Sequence, residues 1–267
     1  MANVEVIARA QVRPGQLEGF KGQAAEILRL TREEDTQTLR CDWFVSENGT
    51  DCEVHEMFPG EQGLAAHKMH TMEATARLFR DYASDHRSTL YGEVSETFLN
   101  LVKDRMGAAP DVFSFLQGLD AEAAVLPPPI RASASTAATG GAGPLEVHAH
   151  LRVRPGRLEQ FKAQVAELMR VTREEDTETV RYDWFINPDG TICEVHEAYL
   201  SGQGLMDHNA HIMSARGRLF EQSAYDHRMA AFGPVSPELR ELGRKHAGGI
   251  AVYTFLQGLG TAATVQV

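Results

Sequence analysis

The pentapeptide CEVHE stands at residues 52–56 and again at 193–197. The repetition runs well beyond those five letters. Shifted by 141 positions, residues 4–95 align with 145–236 without a gap, and 50 of the 92 pairs are identical. RPG at 13–15 meets RPG at 154–156, TREEDT at 31–36 meets 172–177, and DWF at 42–44 meets 183–185. After one deletion the match resumes with FLQGL at 115–119 and 255–259. A unit of roughly 115 residues is too long for a solenoid repeat and long enough to enclose a core of its own. The expected organisation is therefore a first unit over 1–119, a second over 144–262, and a linker over 120–143, where Pro, Ala, Ser and Gly leave nothing to bury.

Within a unit, Val4, Val6, Ala8, Ala10 and Val12 alternate with Glu5, Arg9 and Gln11, the period of a strand with one apolar face. Pro14-Gly15 breaks it, and Leu17, Phe20, Ala24, Ile27 and Leu28 then recur at helical spacing up to the acidic TREED. Strands are expected at 39–46 and 52–58, joined by ENGT in one copy and PDGT in the other, both strong hairpin signals. A helix from Gln62 to the low eighties, a short strand near 89–94, a helix near 95–105 and a strand at 112–117 complete the pattern. The order β-α-β-β-α-β is the split ferredoxin-like arrangement, an α+β fold with both helices on one face of an antiparallel sheet. Two such sheets in one chain can cover each other's open faces, so the expectation is two tandem ferredoxin-like units packed sheet to sheet.

Composition removes several classes of function. The net charge of −11 opposes binding to a nucleic-acid backbone, which requires clustered Lys and Arg. No apolar run has the length of a membrane span, and the start MANVEVIARAQV goes directly into a strand pattern with no secretory signal in view. Three cysteines, Cys41, Cys52 and Cys193, are an odd number without metal-ligand spacing, which suggests reduced thiols and a cytoplasmic location. GQG and GLG lack the strand and helix context of a phosphate loop, so no flavin or nicotinamide is expected.

Strand alternation divides CEVHE between two faces. Cys52, Val54, Glu56 and Phe58 point toward the helices, and Glu53, His55 and Met57 away from them. On the second face His55 and His196, with Glu53, Glu194, Arg9, Arg40 and Asp42, read as a polar network that sets sheet register. His148 and His150 keep a metal or proton site there as an alternative. Glu56 and Glu197 lie on an otherwise apolar face, where an unpaired carboxylate is costly. The facing helix offers His67 and His70, or His208 and His211, at i and i+3. Glu56 and His67 could be bonded inside a filled core or could line a pocket, and a metal held by both histidines and Glu56 is a third arrangement. The repeated Asp85-His86-Arg87 (226–228 in the second copy) is expected near a helix end.

Taken together, Arg13-Pro14-Gly15, Thr31-Arg32 with Glu34, Arg40 with Asp42, Glu56-x-Phe58 and His67, each repeated, resemble the antibiotic biosynthesis monooxygenase superfamily, whose members are dimeric α+β barrels. The tail YGEVSETFLNLVKDRM…VFSFLQGL looks like the C-terminal extension of candidate quinol monooxygenases in that superfamily. The resemblance implies an intrachain version of that barrel, possible further pairing as a homodimer, and a small-molecule pocket between sheet and helices. Ala8, Trp43, Phe58 and His70 would bind substrate around Glu56 and His67; Ala149, Trp184, Tyr199 and His211 would do so around Glu197 and His208. It further implies a monooxygenase or oxidase that acts on an electron-rich aromatic without cofactor or metal, with dioxygen as co-substrate. His67 and His208 would be the bases, oriented by Glu56 and Glu197. A non-catalytic binding or cyclisation protein is the rival reading. Haem chemistry is opposed by Ala8 and Phe58, with Ala149 and Tyr199, where the haem-degrading subgroup has Asn and Trp.

Overall fold

The computed structural model describes residues 3–33, 37–106, 109–120, 143–245 and 249–259. The expected linker, apart from its ends, and Glu34 of the first TREEDT lie outside the described residues. The first repeat runs β1 (Val4–Val12), α1 (Leu17–Glu33), β2 (Arg40–Ser46), β3 (Asp51–Phe58), α2 (Glu61–His70), α3 (Met72–Asp81), β4 (Ala83–Tyr91), α4 (Glu96–Met106) and β5 (Asp111–Gln117). The second runs β6 (Leu145–Val153), α5 (Leu158–Glu175), β7 (Thr179–Ile186), β8 (Ile192–Tyr199), α6 (Gly202–His211), α7 (Met213–Gln222), β9 (Ala224–Phe232), α8 (Pro237–Lys245) and β10 (Ile250–Gly258). The α+β class and the ferredoxin-like order are those expected. In the first repeat β1 lies between β3 and β4, with β2 beyond β3; in the second β6 lies between β8 and β9, with β7 beyond β8. All these pairs are antiparallel.

Two local expectations are corrected. The single helix from Gln62 to the low eighties is two helices, broken at Thr71 and at Ile212. Both residues are buried, so the chain turns inward there, and Thr71 bonds its own hydroxyl to the His67 carbonyl at 2.8 Å. The Asp-His-Arg triplets lie inside strands β4 and β9 and not at a helix end. Asp85 (φ 53°) and Asp226 (φ 55°) take the left-handed conformation where the register with β1 or β6 shifts. An aspartate tolerates that conformation, and the extra residue makes a β-bulge.

By compactness the chain divides differently from the sequence repeat. The described residues of Met1–Val112 and Thr254–Val267 form one unit, and those of Phe113–Tyr253 the other. The two FLQGL segments, expected to close their own repeats, are exchanged. In the first unit Arg32 donates to the Gly258 carbonyl at 2.8 Å, Gln257 donates to the Lys21 carbonyl at 3.1 Å, and Phe255 meets Phe44 edge-on at 5.6 Å. In the second, Arg173 donates to the Gly118 carbonyl at 2.6 Å, Gln117 to the Lys162 carbonyl at 3.3 Å, and Phe115 meets Phe185 at 5.9 Å. The physical reason is the edge strand. Within a four-stranded ferredoxin-like sheet β2 and β7 have one unpaired side, and the incoming strand satisfies it; β5 pairs with β7 through Ser114↔Ile186 and Phe115↔Phe185. Glycine is needed in this segment because a Cβ at Gly118 or Gly258 would collide with the carboxylate of Asp183 or Asp42.

Each unit has its own core between helices and sheet. Phe20, Ala24, Ile27 and Leu28 of α1 pack on Trp43, Cys52 and Val54, and Phe161, Val165, Leu168 and Met169 of α5 pack on Trp184, Cys193 and Val195. The face away from the helices is buried too, and its charges are paired as expected. Arg40 donates to Asp42 at 2.7 Å, Arg181 to Asp183 at 2.8 Å and Arg9 to Glu53 at 2.9 Å. His55 Nε2 lies 3.3 Å from Glu53, whereas His196 stacks on His148 with ring centres 4.1 Å apart. No helix among the described residues is long and apolar enough to cross a membrane.

Candidate functional site

Register places the helix-facing side of CEVHE beneath α2 in the first repeat and α6 in the second. Glu56 on β3 lies opposite Val6 on β1 and Cys41 on β2, and Glu197 on β8 lies opposite Val147 and Tyr182. Both carboxylates are buried, and a buried histidine of α2 or α6 stands over each. From that common plan the two units diverge.

In the first unit Glu56 is bonded by a histidine and a lysine. His67 Nε2 lies 3.0 Å from Oε1, and Lys68 donates to both carboxylate oxygens at 2.7 and 3.0 Å. Burial pushes the Glu56 carboxyl up, but the Lys68 ammonium and the His67 hydrogen bond outweigh it and hold the group at about 2. The other face of His67 is occupied as well, with Thr38 Oγ1 3.2 Å from Nδ1 and the Phe58 ring centre at 5.3 Å. Trp43 packs edge-on against Phe20 in the core at 5.8 Å, and Ala8 lies at the margin of that core. His70, expected beside Glu56, is exposed at the end of α2 and takes no place in the cluster. The proposed ligation by His67, His70 and Glu56 therefore fails on geometry, because the helix breaks immediately after His70 and leaves it outside.

In the second unit four substitutions reorganise the same plan: Tyr182 for Cys41, Tyr199 for Phe58, Asn209 for Lys68 and Arg216 for Thr75. With no lysine against it, Glu197 accepts from the Tyr199 hydroxyl at 2.6 Å. Burial raises its carboxyl above the ordinary value, only partly offset by His208, the Tyr199 bond and Arg216. His208 turns the other way. Its Nδ1 lies 2.5 Å from Asp176 Oδ2, which also accepts from Thr179 at 2.6 Å, while His211 Nδ1 lies 2.7 Å from Oδ1. Asp176 is held at about 2, since the hydrogen bonds from His208, Thr179 and His211 outweigh its burial. The bond to Asp176 raises His211 above its ordinary range.

His208 Nε2 is buried and has no hydrogen-bond partner. His208 lines a cavity whose walls also include Ala149, Tyr182, Trp184, Glu197, Asn209 and Arg216. Trp184 Nε1 on the same wall is likewise buried and unbonded. Tyr182 stands edge-on to His208 at 4.8 Å and to Trp184 at 5.4 Å. Burial raises the Tyr182 and Tyr199 phenols well above the ordinary tyrosine value, so both remain donors. The cavity is about 20 Å³, room for one water. Arg216, Phe220 and Met229 form a half-buried part of its wall.

Of the expected residues, Ala149, Trp184, Glu197 and His208 line this cavity together. Tyr199 stands behind Glu197, and His211 reaches the site only through Asp176. Sequence reasoning missed Asp176 and Arg216, and placed His227 of the repeated Asp-His-Arg at a helix end although it lines the cavity. Asp176 belongs to the repeated TREEDT and was legible as a repeat but not as a partner of His208. Arg216 could have been found as a mismatch against Thr75.

No family model matches the chain, and no curated protein matches it. Solved structures do. A candidate monooxygenase from Fusobacterium nucleatum shares the fold over 85% of this chain and 90% of its own, with a TM-score of 0.60 and 10% identity. A candidate monooxygenase from Lactobacillus acidophilus covers 86% and 92%, with a TM-score of 0.55 and 10% identity. The chain has the fold of these proteins. The likeness extends to the α+β architecture, with the ferredoxin-like order present in each repeat.

Proposed function

We propose that the chain is a cofactor-independent monooxygenase or oxidase acting on an electron-rich aromatic small molecule, a quinol, phenol or polyketide-like compound, and that the second unit carries the reaction. The observation behind this reading is the orientation of His208. Its Nδ1 lies against Asp176, and with the ring proton placed there the Nε2 lone pair is the one left to accept a proton from a guest. In the first unit the equivalent nitrogen is engaged by Glu56, and Lys68 neutralises that carboxylate. That cluster is a structural ion pair in this reading.

The chemistry needs only substrate and dioxygen. An O–H or activated C–H of the guest gives its proton to His208 Nε2 and becomes an electron-rich anion. The anion passes an electron to dioxygen. For a quinol, two electrons and two protons reach dioxygen in total, giving quinone and hydrogen peroxide. For an anthrone-type methylene, recombination forms a C–O bond; the O–O bond then breaks, one oxygen stays as a carbonyl and the other leaves as water with both hydrogens. Asp176 stabilises the imidazolium formed at His208, and its other oxygen connects to His211, whose side chain is 31% exposed. That route returns the proton to solvent. Fold likeness to two candidate monooxygenases supports the same reading.

Oxygen uptake by the purified protein with a panel of quinols and anthrones tests it. Uptake above the protein-free rate that disappears in His208→Ala supports the assignment. Tight binding without uptake would instead mark a non-catalytic binding protein.

A further inference from the structure

The second unit carries a positive charge that its own groups leave unmatched at close range. In the first unit the cation of this region is Lys68, in contact with Glu56. In the second the equivalent position is Asn209, and the cation reappears one helix later as Arg216, where the first unit has Thr75. Asn209 receives one guanidinium N–H of Arg216 on its side-chain oxygen, and the Asn209 amide donates to the Leu205 carbonyl at 2.8 Å. That pairing holds the guanidinium at the cavity wall by a neutral group. No carboxylate among the described residues forms a salt bridge with Arg216; Glu197 and Asp176 act on the region only at longer range, and Asp176 is already matched by His208, Thr179 and His211. A guanidinium has five donors in a planar fork, and one bond to Asn209 leaves a pair able to grip a carboxylate.

We infer that Arg216 is an anion anchor, and that the second unit takes an aromatic acid, its carboxylate on Arg216 and its phenolic hydroxyl toward His208 Nε2. This rests on the proposed reading of the cavity as the site of an electron-rich aromatic beside His208, and adds the carboxylate and its anchor. Lys68 in the equivalent unit shows the contrast: a cation placed directly on the buried glutamate satisfies that residue and is withdrawn from any guest. The exchange of Lys68 for Asn209 together with Thr75 for Arg216 moves the charge from the protein's own carboxylate to the cavity wall, where a ligand's carboxylate can meet it.

The test is equilibrium binding by calorimetry, without turnover and under anaerobic conditions, with 2,5-dihydroxybenzoate and hydroquinone as probes that differ in one carboxylate. The wild-type chain is expected to bind the acid at least about tenfold more tightly than hydroquinone, the range of a charge-assisted bidentate pair. Arg216→Gln is expected to abolish that preference, weakening acid binding at least about tenfold more than hydroquinone binding, and Arg216→Lys to retain part of it, since a lysine supplies the charge without the fork. Should Arg216→Gln fail to fold, Asn209→Lys is the second variant. It removes the side-chain oxygen that holds the guanidinium at the wall and is expected to reduce the acid preference; an undiminished preference overturns the inference. Wild-type binding of hydroquinone equal to or tighter than that of the acid, or an acid preference untouched in Arg216→Gln, overturns the inference. Oxygen uptake separates the two levels: an acid that binds through Arg216 and consumes no oxygen upholds the anchor and removes the monooxygenase, and a neutral quinol oxidised without acid preference does the reverse.

Discussion

Nδ1 of His208 lies 2.5 Å from Oδ2 of Asp176, a residue 32 positions earlier at the end of α5. The pairing engages Nδ1 and leaves Nε2 as the ring nitrogen without a hydrogen-bond partner. If His208 is the base, His208→Ala lowers the rate of oxygen consumption about 10²-fold or more, the contribution typical of a positioned general base. Asp176→Asn, which keeps the shape but loses the charge that stabilises the imidazolium, lowers kcat by roughly tenfold or more with a smaller change in KM. His67→Ala in the first unit leaves the rate within about twofold. An oxygen electrode measures all three, and equal losses in His67→Ala and His208→Ala would contradict the division between units.

The two buried glutamates should respond to pH in opposite directions. Glu56 has a folded value near 2 against 4.5 ordinarily, so its ion pair contributes stability above pH 4.5 that is lost as the pH falls toward 2. Glu197 is raised, so its protonated form is favoured in the fold; its contribution is present below pH 4.5 and is lost as pH rises through the folded value. Glu56→Gln is therefore expected to cost on the order of 2 kcal/mol at pH 7 and less toward pH 4. Glu197→Gln is expected to be neutral or mildly stabilising at pH 7, with the gain fading on acidification. Thermal midpoints of both variants between pH 4 and 8 decide it; the same sign for both at pH 7 would refute the asymmetry.

His211 offers a direct spectroscopic check. The Asp176 bond raises its proton affinity, so Asp176→Asn should bring its titration back down toward the ordinary histidine range near 6.5. Because the folded value is raised, His211 contributes stability that is fully present below about 6.5 and declines as pH rises through the folded value. Nuclear magnetic resonance titration of the imidazole protons in both proteins follows the shift, and an unchanged His211 curve in Asp176→Asn would exclude the bond.

Strand exchange predicts the effect of truncation. Ending the chain at Tyr253 removes Phe255, Leu256, Gln257, Gly258 and Leu259, whose partners Phe44, Lys21, Arg32 and the Trp43 core all belong to the first unit. The first unit should then lose cooperative unfolding and expose its β2 edge, while Glu197 and His208 of the second keep their arrangement. Hydrogen exchange read by mass spectrometry locates the damage. Faster exchange confined to the second unit would argue against the exchange.

Much of this was legible in the chain. The alternation of Cys52, Val54, Glu56 and Phe58 correctly placed Glu56 beneath the helices and His55 on the other face. His67 stood where helical spacing put it, whereas His70 did not, because the helix bends at Thr71 one residue later. The Asp-His-Arg triplets were misread because a bulged strand shows no clean alternation, and aspartates in left-handed backbone mimic a helix boundary.

Sequence alone determined the duplication, the ferredoxin-like order and the inward glutamates, since periodicity and turn chemistry act between residues close along the chain. Only the tertiary structure decided which repeat receives each FLQGL strand, that Asp176 and not Glu197 holds His208, and that Arg216 reaches the cavity. Those choices depend on which donor, acceptor or open edge arrives from dozens of residues away once the chain has closed. Two repeats identical at 50 of 92 aligned positions differ there in the polar groups around one buried histidine, where Lys68 becomes Asn209 and Thr75 becomes Arg216.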